Sequence, residues 1–268
     1  MIKLKTKNNI PVNVPDTQSE DPSPKFNLDQ KTDIKEYYDK NGYVVLSKVI
    51  NFELCDKAKI SWNDEIKFSN EYIYRQANGK PERNILNKND WVMNPILNMQ
   101  SLNEQKFPHF RKACIEILTN AKLNKVAELI LGEKPKIVQS MFFEGNSETW
   151  EHQDTYYLDA SKMGSMCGSW IALEDIKSDA GRFFICPQSH QLNVEHNPNN
   201  NIANAHEKYI SSIVNLIIEK KYFIRAPFLE KGDVIFWNSK TIHGSLASQS
   251  EKNSRSSITC HSIPQNEK

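Results

Sequence analysis

Gly232-Asp233-Val234-Ile235-Phe236-Trp237, followed by Asn238-Ser239-Lys240-Thr241-Ile242 and then His243-Gly244-Ser245, is the stretch that decides the fold. A β-prone run leads into a polar turn, and a lone histidine stands just beyond it. Short runs of the same kind recur through the second half, at residues 137–143, 168–173, 182–186, 223–228 and 257–261, each bounded by turn residues. Many short strands separated by turns are the texture of a sandwich or jelly roll. The first half has a different period. Ile34, Tyr37 and Tyr38 recur at helical spacing and stop at Asn41-Gly42, a helix C-terminal signal, and a strand is expected over 43–49. Asn51 is placed to cap a second helix carrying Leu54, Ala58 and Trp62 on one face, and residues 110–131 predict one or two further helices ending at Gly132. Helices of this kind brace a sheet, so the expected fold is mainly β with flanking helices: two sheets in a double-stranded β-helix, a cupin-like jelly roll.

Two segments fall outside that pattern. Residues 1–30, with Pro11, Pro15, Pro22 and Pro24 in a polar stretch, predict an extended N-terminal arm, mobile or draped over the domain, because proline blocks helix. The domain itself is expected over 31–268. It is interrupted at about 197–221 by an inserted segment, a polar run at 197–204 and an amphipathic helix over 205–221 carrying Ile210, Ile213, Val214, Ile217 and Ile218. Its position between the two histidine motifs suggests a lid over a cavity.

Thirty-four basic against 33 acidic residues leave a net charge of +1, which argues against a nucleic-acid partner held by broad electrostatics. No apolar run reaches the length of a signal peptide or a membrane span, so a cytoplasmic protein without a membrane partner is expected; nothing in the sequence bears on oligomeric state. The five cysteines are odd in number, widely spaced and without a C-x-x-C pair. They read as buried small hydrophobes, not as a disulfide or zinc framework.

His152-Gln153-Asp154 places two potential metal ligands at i and i+2, whose side chains leave an extended strand on the same side. His243 is the expected third ligand. Two imidazoles and a carboxylate suit one face of an octahedral iron(II) ion, leaving three positions open, whereas a structural zinc site would be closed and richer in cysteine. Arg255 follows His243, and a hairpin between them would point both into one barrel; its planar fork matches a carboxylate, and Ser245 adds a hydroxyl. Arg182 and Arg225 are the alternative cations for that carboxylate. His190 is expected to fix a turn. His109, His196, His206 and His261, lacking a partner at ligand spacing, are assigned to solvent or packing.

Taken together, these residues resemble the phytanoyl-CoA dioxygenase-like family of iron(II)/2-oxoglutarate-dependent oxygenases, over roughly residues 36–263. Asn41-Gly42-Tyr43-Val44-Val45-Leu46 is similar to that family's opening strand, His152-Gln153-Asp154 with Tyr157-Leu158 to its first ligand motif, and Pro187-Gln188-Ser189-His190 to its Pro-Gly-Ser-His segment. The span from Gly232-Asp233 through His243-Gly244-Ser245 to Arg255 is the most specific match. Two positions depart: Gln188 stands where the family has glycine, and Glu144-Gly145 occupies the region where a basic residue is usual.

The resemblance implies His152, Asp154 and His243 as catalytic iron ligands. It implies 2-oxoglutarate bound through Arg255, with Ser245, Trp170 and Gln139 as further contacts, and O2 as oxidant. The expected activity is that of a 2-oxoglutarate-dependent dioxygenase, a hydroxylase acting on an unactivated C–H of a small-molecule substrate, in secondary metabolism. Because halogenating relatives have a small residue in place of the carboxylate, Asp154 favours hydroxylation. Desaturation, cyclisation or epimerisation remain open by the same chemistry, and a non-catalytic jelly roll binding a metal or small ligand remains open as a different class.

Overall fold

A computed structural model describes residues 1–192, 194 and 202–267, with side chains from residue 206 onward in the last segment. The chain opens with strands β1 (Ile2–Lys5), β2 (Pro11–Val14) and β3 (Lys25–Phe26), then helix α1 (Lys31–Asn41), β4 (Tyr43–Leu46) and α2 (Phe52–Ser61). Three two-residue strands follow, β5 (Ile73–Tyr74), β6 (Pro81–Glu82) and β7 (Ile96–Leu97), before helices α3 (Pro108–Leu118) and α4 (Ala121–Leu131). The second half holds β8 (Pro135–Phe143), β9 (Thr149–His152), β10 (Cys167–Ala172), β11 (Phe183–Ile185), α5 (Ile202–Glu219), β12 (Val234–Asn238), β13 (His243–Ser245) and β14 (Ser257–Pro264).

The caps lie where the sequence puts them. Gly42 takes the left-handed conformation (φ +75°) and donates its N–H to Tyr38, ending α1; Gly132 (φ +76°) ends α4 the same way. The Asn51 side chain accepts from the Leu54 N–H at 2.9 Å, and Asn120 caps α4. Beyond α2 the chain winds into a π-helical turn (Trp62–Ile66), which keeps Trp62 buried and stacked 4.2 Å from Phe142.

Two sheets form the jelly roll. The major sheet runs β3-β4-β12-β10-β14-β8-β7, antiparallel except for the parallel β3–β4 pair, and the minor sheet runs β11-β13-β9. Alternation divides each major-sheet strand between two cores. Val44, Leu46, Val234, Phe236, Ile258 and Cys260 face the helices, while Tyr43, Val45, Trp170, Ile235 and Trp237 face inward against Phe183 and Ile185 of the minor sheet. The iron-site candidates lie on that inner side. All five cysteines are free and buried, and no helix among the described residues is long and apolar enough to cross a membrane.

Several local expectations change. Residues 1–30 form a hairpin and an edge strand: β1 pairs with β2, Val12 and Val14 bury against Phe184, Ala226 and Leu246 on the outside of the minor sheet, and β3 extends the major sheet. Residues 223–228 are not a strand. Arg225 exchanges two main-chain hydrogen bonds with Ile185 at 2.8 Å, but Pro227 has no N–H to continue the ladder. His243 and Arg255 are not joined by a hairpin, since β13 belongs to the minor sheet and β14 to the major one, so the chain crosses between sheets. The inserted helix begins at Ile202 and buries Tyr209, Ile213 and Ile217 against Tyr156, Cys186 and Ile242; residues 197–201 and His196 lie outside the described residues.

Candidate metal centre

β9 and β13 are paired so that His152 and His243 are direct cross-strand partners. Beyond His152, Gln153 stays extended and Asp154 opens a 3-10 turn, which brings its carboxylate under both rings. Asp154 Oδ1 lies 3.4 Å from His243 Nε2 and 3.9 Å from His152 Nε2, and one ligand atom from each residue falls within 4.8 Å of the other two. Each imidazole has its Nδ1 2.9 Å from a main-chain carbonyl, Trp150 for His152 and Thr241 for His243. A carbonyl only accepts, so the proton sits on Nδ1 and the Nε2 lone pair faces inward, the form that binds a metal. Burial, and after it the nearby His243, pushes the His152 pKa down to about 4. Burial would raise the Asp154 pKa, but the adjacent His243 and His261 outweigh it and hold the carboxyl well below its usual range.

Neighbours from distant parts of the chain brace this turn. The Tyr209 hydroxyl of α5 accepts the Gln153 N–H at 2.8 Å and donates back to the Gln153 carbonyl at 3.3 Å, while the Gln153 amide donates to the Lys240 carbonyl at 2.5 Å. Tyr156 stacks on Tyr209 with ring centroids 3.8 Å apart. Trp150 Nε1 donates to the Tyr157 hydroxyl at 3.0 Å, and that hydroxyl is 2.7 Å from His206 Nε2. From the tip of the β1–β2 hairpin, Lys7 lies over Trp150 and Asn8 hydrogen-bonds Glu151. On the other oxygen of Asp154, Trp237 Nε1 donates at 2.7 Å and His261 Nε2 stands at 3.4 Å.

Arg255 is the opposite case. It is 3% exposed, its main-chain N–H is held by Glu144, and its guanidinium lies over the Phe143 and Trp170 rings, 5.2 and 5.8 Å away. Among the described residues its side chain has no hydrogen bond or ion pair, and Nε is buried without a partner. Burial alone pushes its pKa down to about 9, which leaves it charged at neutral pH. The alternative cations are already engaged: Arg182 donates to the carbonyls of Pro15 and Ile176, and Arg225 to the hydroxyls of Tyr37 and Tyr43. Rings connect Arg255 to the candidate ligand His243, through Trp170 to Phe183 (6.3 Å) and from Phe183 to His243 (5.5 Å). Ser245 is buried in β13 and bonded to Thr149 at 2.8 Å and Asn146 at 3.2 Å. Gln139 instead pairs across from His261, six residues beyond Arg255 and so roughly 20 Å along the strand at ~3.3 Å per residue.

A family model for phytanoyl-CoA dioxygenase (PhyH) matches residues 38–257, most of the chain. The chain belongs to the phytanoyl-CoA dioxygenase family. Its relatives in that family include the Caenorhabditis elegans homolog of phytanoyl-CoA dioxygenase domain-containing protein 1, 23% identical over 263 residues, covering 85% of this chain and 89% of the relative. A probable phytanoyl-CoA dioxygenase of the same organism is 24% identical over 247 residues, covering 85% and 73%. Among solved structures, the non-heme alpha-ketoglutarate-dependent carbocyclase SnoK from nogalamycin biosynthesis superposes with a TM-score of 0.64 at 16% identity, covering 91% of this chain and 88% of SnoK. EctD from S. alaskensis with 2-oxoglutarate and 5-hydroxyectoine gives 0.60 at 16% identity, covering 86% and 74%. At such identities these structures establish the jelly-roll fold.

In this family member, His109 and His190 behave as the sequence suggests. His109 is exposed beside Glu65, and His190 fills the space over Gly42, where a Cβ would come within 2.5 Å of its ring. His206 and His261 do not: the first bonds Tyr157 and the second touches Asp154. His261 was legible by alternation, since Ser257, Thr259 and His261 share the face of β14 opposite to Ile258 and Cys260. Tyr209 and Trp237 carried no local signal. Gln188, in place of the family's glycine, takes the left-handed conformation (φ +69°) that explains why glycine is usual there.

Proposed function

We propose that this protein is an iron(II)- and 2-oxoglutarate-dependent oxygenase that hydroxylates an unactivated C–H of a small molecule. The observation that carries the reading is the Arg255 guanidinium, buried without a counter-charge among the described residues and linked through the Trp170 and Phe183 rings to a convergent His152–Asp154–His243 set. A buried unpaired charge is costly, so such a group makes sense where a carboxylate ligand completes it.

His152 and His243 offer neutral imidazole nitrogens and Asp154 a carboxylate, a donor set that fits iron(II) and covers only one face of it. Bound iron and 2-oxoglutarate would supply the oxidising power, coupling reduction of O2 and decarboxylation to succinate to oxidation of the substrate. The chain's own residues hold and shield. Arg255 would grip the distal carboxylate of 2-oxoglutarate by two parallel hydrogen bonds while Trp170 and Phe143 exclude water. Ser245 would join once its hydroxyl turns away from Asn146 or Thr149, and Gln139, beside His261, falls outside this assignment. Asp154 occupies the position that a halide would need, which favours hydroxylation over halogenation.

The test is an anaerobic titration of the iron(II) protein with 2-oxoglutarate, following the metal-to-ligand charge-transfer band, and then succinate release on admitting oxygen. His243→Ala should abolish tight iron binding and both signals; wild-type behaviour in that variant would remove His243 from the ligand set. Cyclisation and epimerisation are a second reading, favoured by the carbocyclase SnoK and the epimerase SnoN sharing this fold. A product mass increased by one oxygen atom supports hydroxylation, and an unchanged or dehydrogenated mass supports the second reading.

A further inference from the structure

Asp154 has two oxygens with different surroundings, and the difference is built by residues the proposed reaction does not otherwise use. Oδ1 faces the Nε2 atoms of both imidazoles. Oδ2 accepts the Trp237 indole N–H at 2.7 Å and has the His261 ring 3.4 Å away. We propose that Trp237 and His261 are positioning residues that reserve Oδ2 for the protein and commit Asp154 to bind the metal through Oδ1 alone. This inference rests on the reading of the triad as a metal site.

Three features support it. Indole nitrogen is a donor only, so the contact has one polarity, and a hydrogen bond from N–H to a buried carboxylate is among the stronger kinds. The indole cannot swing away. Its cross-strand partner is Gly168, where a Cβ would come within 2.2 Å of the indole ring, and Phe183 and His243 each hold it at 5.0 Å between ring centroids. His261 is buried with Nε2 3.4 Å from Oδ2 but outside hydrogen-bond geometry, so it supports that oxygen more weakly than Trp237 does. A carboxylate held this way cannot turn both oxygens to the metal. Single-oxygen binding leaves three positions of an octahedral ion free, which a bidentate 2-oxo acid and dioxygen together require.

The experiment is cobalt(II) titration of the metal-free full-length chain, with cobalt as a spectroscopic stand-in for iron, in the wild type and in Asp154→Ala, Trp237→Phe and His261→Phe. The wild type should bind cobalt and Asp154→Ala should not. Trp237→Phe, which keeps a ring but removes the N–H, should weaken binding by roughly 10- to 100-fold and change the visible d–d absorption as the freed carboxylate becomes bidentate. His261→Phe should shift both in the same direction by less, and it carries the comparison if Trp237→Phe fails to fold. Wild-type affinity and absorption in the folded variants, with Asp154→Ala inactive in binding, would overturn the clamp and leave the triad standing. No cobalt binding by the wild type would overturn the triad, and the clamp with it.

Discussion

The turn that carries His152 and Asp154 and the corner that carries Arg255 are linked through the Trp170 and Phe183 rings, yet their principal polar groups are treated differently. At the turn, α5 satisfies both main-chain groups of Gln153 through Tyr209, the Gln153 amide is held by Lys240, and Trp237 takes one oxygen of Asp154. At the corner, a positive charge lies against two aromatic rings with no counter-charge beside it among the described residues. Hydrogen bonds hold the Gln153 main chain and one oxygen of Asp154 in place before anything binds, although Gln153 Oε1 and Thr155 Oγ1 stay buried without a partner among the described residues. The protein leaves them unmade at Arg255, where the arriving molecule brings its own charge.

Arg255→Ala presses hardest on that contrast. Losing the buried partner of a carboxylate typically costs about 2–5 kcal/mol, so the 2-oxoglutarate requirement should rise by at least tens of fold in the anaerobic titration while metal affinity stays at the wild-type value. Arg255→Lys should recover only part, returning charge without the fork. An unchanged affinity in the alanine variant would erase the distinction between corner and turn.

Tyr209→Phe attacks the other side. It leaves the buried N–H of Gln153 unmet, while the Gln153 carbonyl keeps the Tyr156 N–H, at a cost of about 1–3 kcal/mol, seen as a lower urea midpoint, together with faster exchange of the Gln153 amide. The metal-free protein carrying Arg255→Met should move the opposite way, gaining about 1 kcal/mol because an uncompensated charge is gone. Destabilisation in both would mean that the two regions are not opposites. The smallest effect concerns the inserted helix as a lid. Since Tyr209, Ile213 and Ile217 are already buried, hydrogen exchange from Tyr209 onward should be slow and should barely change when ligands are added; a large ligand-dependent slowing there would restore the whole helix as a closing element.

Sequence reading reached the residues that stand in a local motif, and missed those whose role comes from a distant partner. His152 and Asp154 declare themselves by a spacing of two, and the run before His243 by its strand-and-turn pattern. Trp237 looked like one more apolar strand residue, because the partner that gives its N–H a purpose lies 83 positions away. Tyr209 read as part of an amphipathic stripe, which it is, while its hydroxyl does separate work on Gln153. The strand expected over 223–228 followed from β-prone residues and overlooked Pro227. The hairpin within residues 1–30 was visible as alternation in Val12 and Val14, but four prolines outweighed it.

That hairpin also sets an order of events. It is made before either sheet, yet Val12 and Val14 have no surface to cover until Phe184, Ala226 and Leu246 have been made. The major sheet imposes the same delay, since β4 pairs with β12 and β8 with β14, each across more than a hundred residues. Contacts that span most of a chain pay their loop-closure entropy before any return, so the protein is expected to fold slowly and late in synthesis. Asn8 would then be among the last groups to dock, covering Glu151 in the strand that carries His152 only after both sheets are complete.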